Sequence, residues 1–194
     1  MYRSNSDIVV GLDLSLTSTG MAAVRIKGET FQILEWANPK TSATEDWFTR
    51  MMHIQTDVVR FVFKHKPSKI FVEGYSYGSR NGRELAGEVN GIVLYQLIAG
   101  GFPQQNIHKM ISPQGRAKFA TGKGNGTKSE VVNYVNQTFG LSLKVKENDI
   151  ADAIILAFIG YCILHTDRLE HVLNKPQKEV LHKIIEKYGG VINE

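Results

Sequence analysis

The chain has 194 residues, of which 42% are hydrophobic and 22% charged, with a formal net charge of +4. That is enough chain for one domain with a full core, and the mild basic excess permits a nucleic-acid partner without establishing one. A single cysteine, Cys162, excludes a disulfide framework or a cysteine metal cluster within one chain.

The first apolar run follows a short polar N-terminus, Met1 to Asp7, so no signal peptide is expected. Ile8 to Leu14 reads as a strand with Asp13 near its end. A polar turn, Ser15 to Gly20, leads to a second strand, Met21 to Ile26, and Lys27-Gly28-Glu29 turns into a third, Thr30 to Trp36. Such close spacing implies antiparallel hairpins. Thr44 to Lys64 reads as a helix because Trp47, Met51, Ile54, Val58, Phe61 and Val62 recur at helical spacing, and Pro67 stops it. Lys69 to Glu73 is a strand ending in an acid, followed by a loop that carries Tyr75, Tyr77 and Arg80. A helix from Arg83 to Ala99 breaks at Gly100-Gly101-Phe102-Pro103.

Ile107 to Ile111 is the fifth strand, and Ser112-Pro113 fits an N-cap with proline at the first helical position. The short helix that follows, to about Ala120, gives way to a glycine-rich basic loop, Thr121 to Thr127. Thr127-Lys128-Ser129-Glu130 matches a capping box opening a helix to Phe139. Ile150 to Leu164 is a long apolar helix, shorter than the roughly 18 residues of a membrane span. A charged tail from about Asp167 should hold one more amphipathic helix, Pro176 to Lys187. The expected organisation is an α/β domain over residues 1–166 with a helical extension over 167–194. Its sheet is mixed and five-stranded, three antiparallel strands then parallel ones, flanked by helices. A reducing, cytoplasmic compartment is expected, with no membrane partner.

The chemistry lies in the acids. Asp149 and Asp152 are three apart at the start of a helix that is apolar nearly all round, so both point one way from a buried element. Buried carboxylates are costly without a partner charge or a metal ion. Asp13 and Glu73 lie near the ends of the first and fourth strands. If those strands are parallel neighbours, both emerge at one sheet edge, and the helix would bring Asp149 and Asp152 to meet them. Converging carboxylates repel one another, and divalent cations remove the repulsion. Magnesium prefers oxygen ligands, and two such ions about 3.5–4 Å apart clamp the attacking and leaving oxygens of a phosphodiester. Mn²⁺ should substitute. The chemistry expected is phosphodiester hydrolysis with no covalent enzyme intermediate. Lys109, Arg116, Lys118, Lys123 and Lys128 fall in one segment and form a candidate phosphate track beside the acids. The glycine-rich loop lacks the Walker order, and the histidines show no paired metal spacing.

Blander readings exist for each. Asp13 could cap a hairpin, Glu73 could be an exposed strand end, and Asp149 could serve a helix N-terminus. The loop tyrosines could pack on the domain, and the lysines could be a solvated face. What weighs against these is order. Gly11-Leu12-Asp13, Phe71-Val72-Glu73, Thr127-Lys128-Ser129-Glu130 and Asp149-Ile150-Ala151-Asp152-Ala153 resemble, in sequence and spacing, the motifs of RuvC-type Holliday junction resolvases.

The resemblance covers roughly Ile8 to His165 and implies a ribonuclease H-like fold. It implies that Asp13, Glu73, Asp149 and Asp152 are metal-binding catalytic acids and that Lys128 lies near the cleaved strand. Lys118 would be a second such lysine. Tyr75 or Tyr77 would stand at the junction centre, and Arg80, Arg116 and Lys123 would add DNA contacts. Gly87 and Gly91, followed by Ile92-Val93-Leu94, resemble the small-residue helix through which the family dimerises, so a homodimer acting on four-way DNA junctions is implied. Leu14-Ser15 replaces the proline and glycine of many bacterial members, which is similar to phage-type relatives, for which the compartment would be the host cytoplasm. A nuclease of the same fold acting on flaps, forks or RNA–DNA hybrids is the alternative. An actin-like ATP-binding module is another, since Gly11 to Gly20 resembles that superfamily's first phosphate hairpin. An inert DNA-structure binder is a third.

Overall fold

The computed structural model describes residues 2–74 and 83–192. Five strands, β1 (Asn5–Asp13), β2 (Gly20–Lys27), β3 (Thr30–Ala37), β4 (Pro67–Glu73) and β5 (Ile107–Ile111), form one sheet in the order β3-β2-β1-β4-β5. β1, β2 and β3 pair antiparallel, while β4 runs parallel to both β1 and β5. This is the expected mixed sheet. Its helices are α1 (Trp47–His65), α2 (Arg83–Ala99), α3 (Pro113–Thr121), α4 (Lys128–Phe139), α5 (Asn148–Leu164), α6 (Thr166–Leu169) and α7 (Lys175–Ile192).

The two-residue alternation of β1 sorts the core into two layers. Val9 faces one cluster, with Ala22, Val24 and Phe71 of neighbouring strands and the apolar face of α5. Val10 and Leu12 face the other, with Ile70, Val72 and the buried sides of α1 and α2. A strand with both faces covered must be apolar throughout, as Ile8 to Leu12 is. His108 of β5 is a core residue, stacked on Phe71 with ring centroids 5.1 Å apart, and burial pushes its pKa down to about 4.

Helix ends follow local chemistry. α1 starts at Trp47 rather than Thr44 because Asp46 caps it, accepting from the Thr49 N–H at 3.0 Å. Ser112 caps α3, and the Thr127–Glu130 capping box opens α4 as expected. α6 was not anticipated, and α7 runs on past Lys187. α7 packs against α3, α5 and β5.

α5 is seated unusually close to the sheet. A Cβ on Gly11 of β1 would lie 2.0 Å from the Ala153 carbonyl oxygen, and one on Gly20 of β2 would lie 1.8 Å from that of Asp149. Both positions therefore admit only glycine while the helix stays where it is. That contact fixes the height of Asp149 and Asp152 above the strand ends.

Candidate active site

Because β1 and β4 are parallel neighbours, Asp13 and Glu73 emerge side by side at one edge of the sheet. The first turns of α5 cross that edge. Carboxylate oxygens of Asp13, Asp149 and Asp152 lie within 4.8 Å of one another. Glu73 joins through hydrogen bonding with Asp13. The four acids thus meet as the strand order predicts.

Each acid is held. Asp149 accepts from Ser18 Oγ at 2.5 Å through Oδ2 and from Asn148 Nδ2 at 2.7 Å through Oδ1. Asn38 Nδ2 in turn donates to Ser18 Oγ at 3.0 Å. The turn that carries Ser18 is itself stapled by Thr19, which is fully buried and donates to the Ser15 carbonyl at 2.7 Å. Sequence reading took Ser15 to Gly20 as a plain turn and missed Ser18 and Asn38. The available signal was position, since that turn leaves the same strand end as Asp13.

Arg116 is the other residue whose place the sequence did not show. It was expected on a phosphate track. Instead its guanidinium lies among the acids, with Nε 2.7 Å from Glu73 Oε1 and Nη1 in contact with Asp152 Oδ1. Its side chain is only 13% exposed. These are charge contacts without hydrogen-bond alignment, and Glu73 Oε1 is left buried with no hydrogen-bond partner.

The electrostatics follow from burial. Desolvation raises the pKa of Asp13, with the Arg116 charge opposing and the Asp149 charge adding to the rise. Burial and the neighbouring Asp13 push Glu73 up to about 8, again against Arg116. Burial and the neighbouring carboxylate thus both favour the neutral form of Glu73, and Arg116 favours the charged one. The three converging carboxylates of Asp13, Asp149 and Asp152, with the Glu73 carboxyl beside them, form an all-oxygen donor set that fits a hard divalent cation such as Mg²⁺ or Mn²⁺.

The remaining candidates are placed less uniformly. Lys128 is exposed at the first position of α4, and its charge bears on Asp13. Lys118 pairs with Glu179 of α7 at 2.6 Å, and Lys123 pairs with Glu130 at 2.7 Å. Tyr75, Tyr77 and Arg80 lie outside the described residues.

The family model for crossover junction endodeoxyribonuclease RuvC matches residues 9–160. The RuvC crossover junction endodeoxyribonuclease of Caldicellulosiruptor saccharolyticus is 23% identical over 151 residues, 77% of this chain and 89% of that protein. Its counterpart from Syntrophomonas wolfei is 25% identical over 167 residues, 85% of this chain and 92% of the other. Thermus thermophilus RuvC, solved in complex with a Holliday junction substrate, shares the fold with a TM-score of 0.68 at 24% identity, covering 82% of this chain and 96% of that one. The family model's match ends within α5, so α6 and α7 lie beyond it. The chain belongs to the RuvC family of crossover junction endodeoxyribonucleases.

Proposed function

We propose that this protein is a divalent-metal-dependent endonuclease that resolves four-way DNA junctions, acting as a two-fold dimer. The observation that carries the reading is the meeting of Asp13, Glu73, Asp149 and Asp152 at one sheet edge in a chain of this family. Divalent ions bound by these acids would supply charge neutralisation for the attacking and departing oxygens of a phosphodiester.

The chain's own groups prepare that centre. Ser18 and Asn148 hold the two oxygens of Asp149 in a fixed orientation. Arg116 balances Glu73 and Asp152, so the acids can be packed together before any cation arrives. Lys128, exposed on the Asp13 side, is positioned to attract the scissile phosphate. No helix among the described residues is long and apolar enough to cross a membrane.

A four-way junction has symmetric scissile strands, and a two-fold dimer would offer one centre to each. The outward face of α2 supports such a dimer. Tyr95 is 70% exposed and Leu85 and Ile98 about 40%, and the space a Gly91 Cβ would enter is open.

The test is strand cleavage with Mg²⁺ on a labelled four-way junction, a flap, a linear duplex and an RNA–DNA hybrid, beside Asp13→Asn and Asp152→Asn. Paired nicks on opposing junction strands, absent in both variants, are the expected result. Cutting flaps and forks equally well would widen the substrate, and cutting only the hybrid would replace it. Folded protein that cuts none of the substrates with Mg²⁺ or Mn²⁺ would remove the nuclease reading.

A further inference from the structure

A groove of about 650 Å³ is lined by Gly74, the residue after Glu73, and by Gly115, the residue before Arg116. One wall is β5 and α3, with Lys109 and Lys118; the other is α7, with Lys183 and Lys187. Among the described residues Glu179 is the only acid lining it. Apolar side chains form the floor, including Val180 and Ile184, both of which are buried.

The helical register of α7 accounts for this arrangement. Val180 and Ile184 are four apart and turn to the core. Glu179, Lys183 and Lys187 follow the same four-residue spacing one position away, so they form a rim along the groove. Lys175 and Lys178 belong to the same helix and do not line it. The Lys118–Glu179 pair ties the two walls together. Among the described residues four lysines and one glutamate line the groove, with Lys118 and Glu179 paired to each other, so the lining has a positive balance. One wall is built from sequence beyond the region matched by the family model.

We infer that this groove binds the phosphate backbone of one duplex arm of the branched substrate, with Lys183 and Lys187 as the contacts supplied by α7. The inference rests on the junction-binding reading above. The ligand chemistry follows from charge: a polyanion that enters the neighbouring acid centre for cleavage must leave it along some surface. This surface begins one residue from that centre and carries the complementary charge. Contacts of this kind position the substrate without reading sequence.

The experiment is fluorescence anisotropy of a labelled four-way junction across a range of salt concentrations, with Ca²⁺ in place of Mg²⁺. Wild type is compared with Lys183→Gln/Lys187→Gln and with Lys175→Gln/Lys178→Gln, which removes the same charge from outside the groove. Each phosphate contact contributes about 0.9 to the slope of log affinity against log salt. The groove pair should therefore lower that slope by about 1.8 and weaken binding several-fold at low salt. The outer pair should leave the slope near the wild-type value. Lys183→Arg/Lys187→Arg should restore binding, and thermal melting should show all variants folded.

Equal slopes for the groove pair and wild type, or equal losses in both glutamine pairs, would overturn the groove assignment. In that case junction binding and Mg²⁺ cleavage by wild type would persist. Wild type that binds no junction DNA would bring down both readings together.

Discussion

Arg116 sets the balance of the acid centre in the absence of an ion. Its guanidinium touches Glu73 and Asp152, which come from different elements. Removing one partner of a buried ion pair costs about 3–5 kcal/mol, because the charges left behind lose compensation. Arg116→Met should therefore lower the melting temperature of the ion-free protein, and Mg²⁺ should recover more stability in the variant than in wild type. Scanning calorimetry with EDTA and with Mg²⁺ checks this; equal Mg²⁺ effects would deny Arg116 that part. Glu73 gives a second expectation. Its pKa rises from an ordinary 4.5 to about 8 in the fold. The native state then holds a proton that the unfolded chain releases, so its contribution to stability is complete below about 4.5 and is lost as pH climbs to about 8. Denaturant midpoints taken with EDTA should fall across that window for wild type, and Glu73→Gln should flatten the fall. Mg²⁺ binding requires the deprotonated carboxylate, so metal affinity should rise over the same range.

The elements meet through their backbones. Gly11 and Gly20 let α5 sit almost on the strands, and Gly160 of α5 makes room for the Phe71 side chain, where a Cβ would lie 2.3 Å from the ring. Gly20→Ala should push Asp149 away from Asp13. The expected outcome is a loss of stability of about 1–3 kcal/mol, comparable to overpacking a core. Mn²⁺ affinity, read by titration, should fall although no ligand has changed. Gly28→Ala, in a turn with open space but a φ of 62°, should cost stability and leave Mn²⁺ affinity untouched. Much of this layer was legible in the sequence. Apolar strands ending in Asp13 and Glu73, and an apolar helix opening with Asp149 and Asp152, contain both the sheet edge and the element that crosses it. Arg116 was not legible, because a cation in a basic segment looks the same whether its helix turns it to solvent or inward. The rotation of α3 decides that, and it is set by contacts with α4, α5 and α7. Likewise, periodicity announced α7 as amphipathic but could not name the surface it covers.

At the scale of the whole molecule, α2 leaves an apolar stripe turned outward. Tyr95 and Ile98 are three apart on that stripe, and Gly91 beside them allows a close approach. On the dimer proposed above, Tyr95→Lys/Ile98→Glu should yield a folded monomer by light scattering where wild type is a dimer. Junction resolution should then decay into single, uncoordinated nicks. A variant that remained dimeric would move the interface elsewhere.

The wide separation of the site's parts has a consequence for how the protein comes into being. Ser18 and Asp149 touch across 131 positions of sequence. Loops of that span close late, after local structure has formed. While the chain is still being made, Asp13 and Glu73 are out of the ribosome long before their partners. A nascent or truncated chain that stops short of α5 lacks Asp149 and Asp152 and so has no assembled acid centre. The acid centre therefore arrives all at once, with the docking of a single helix.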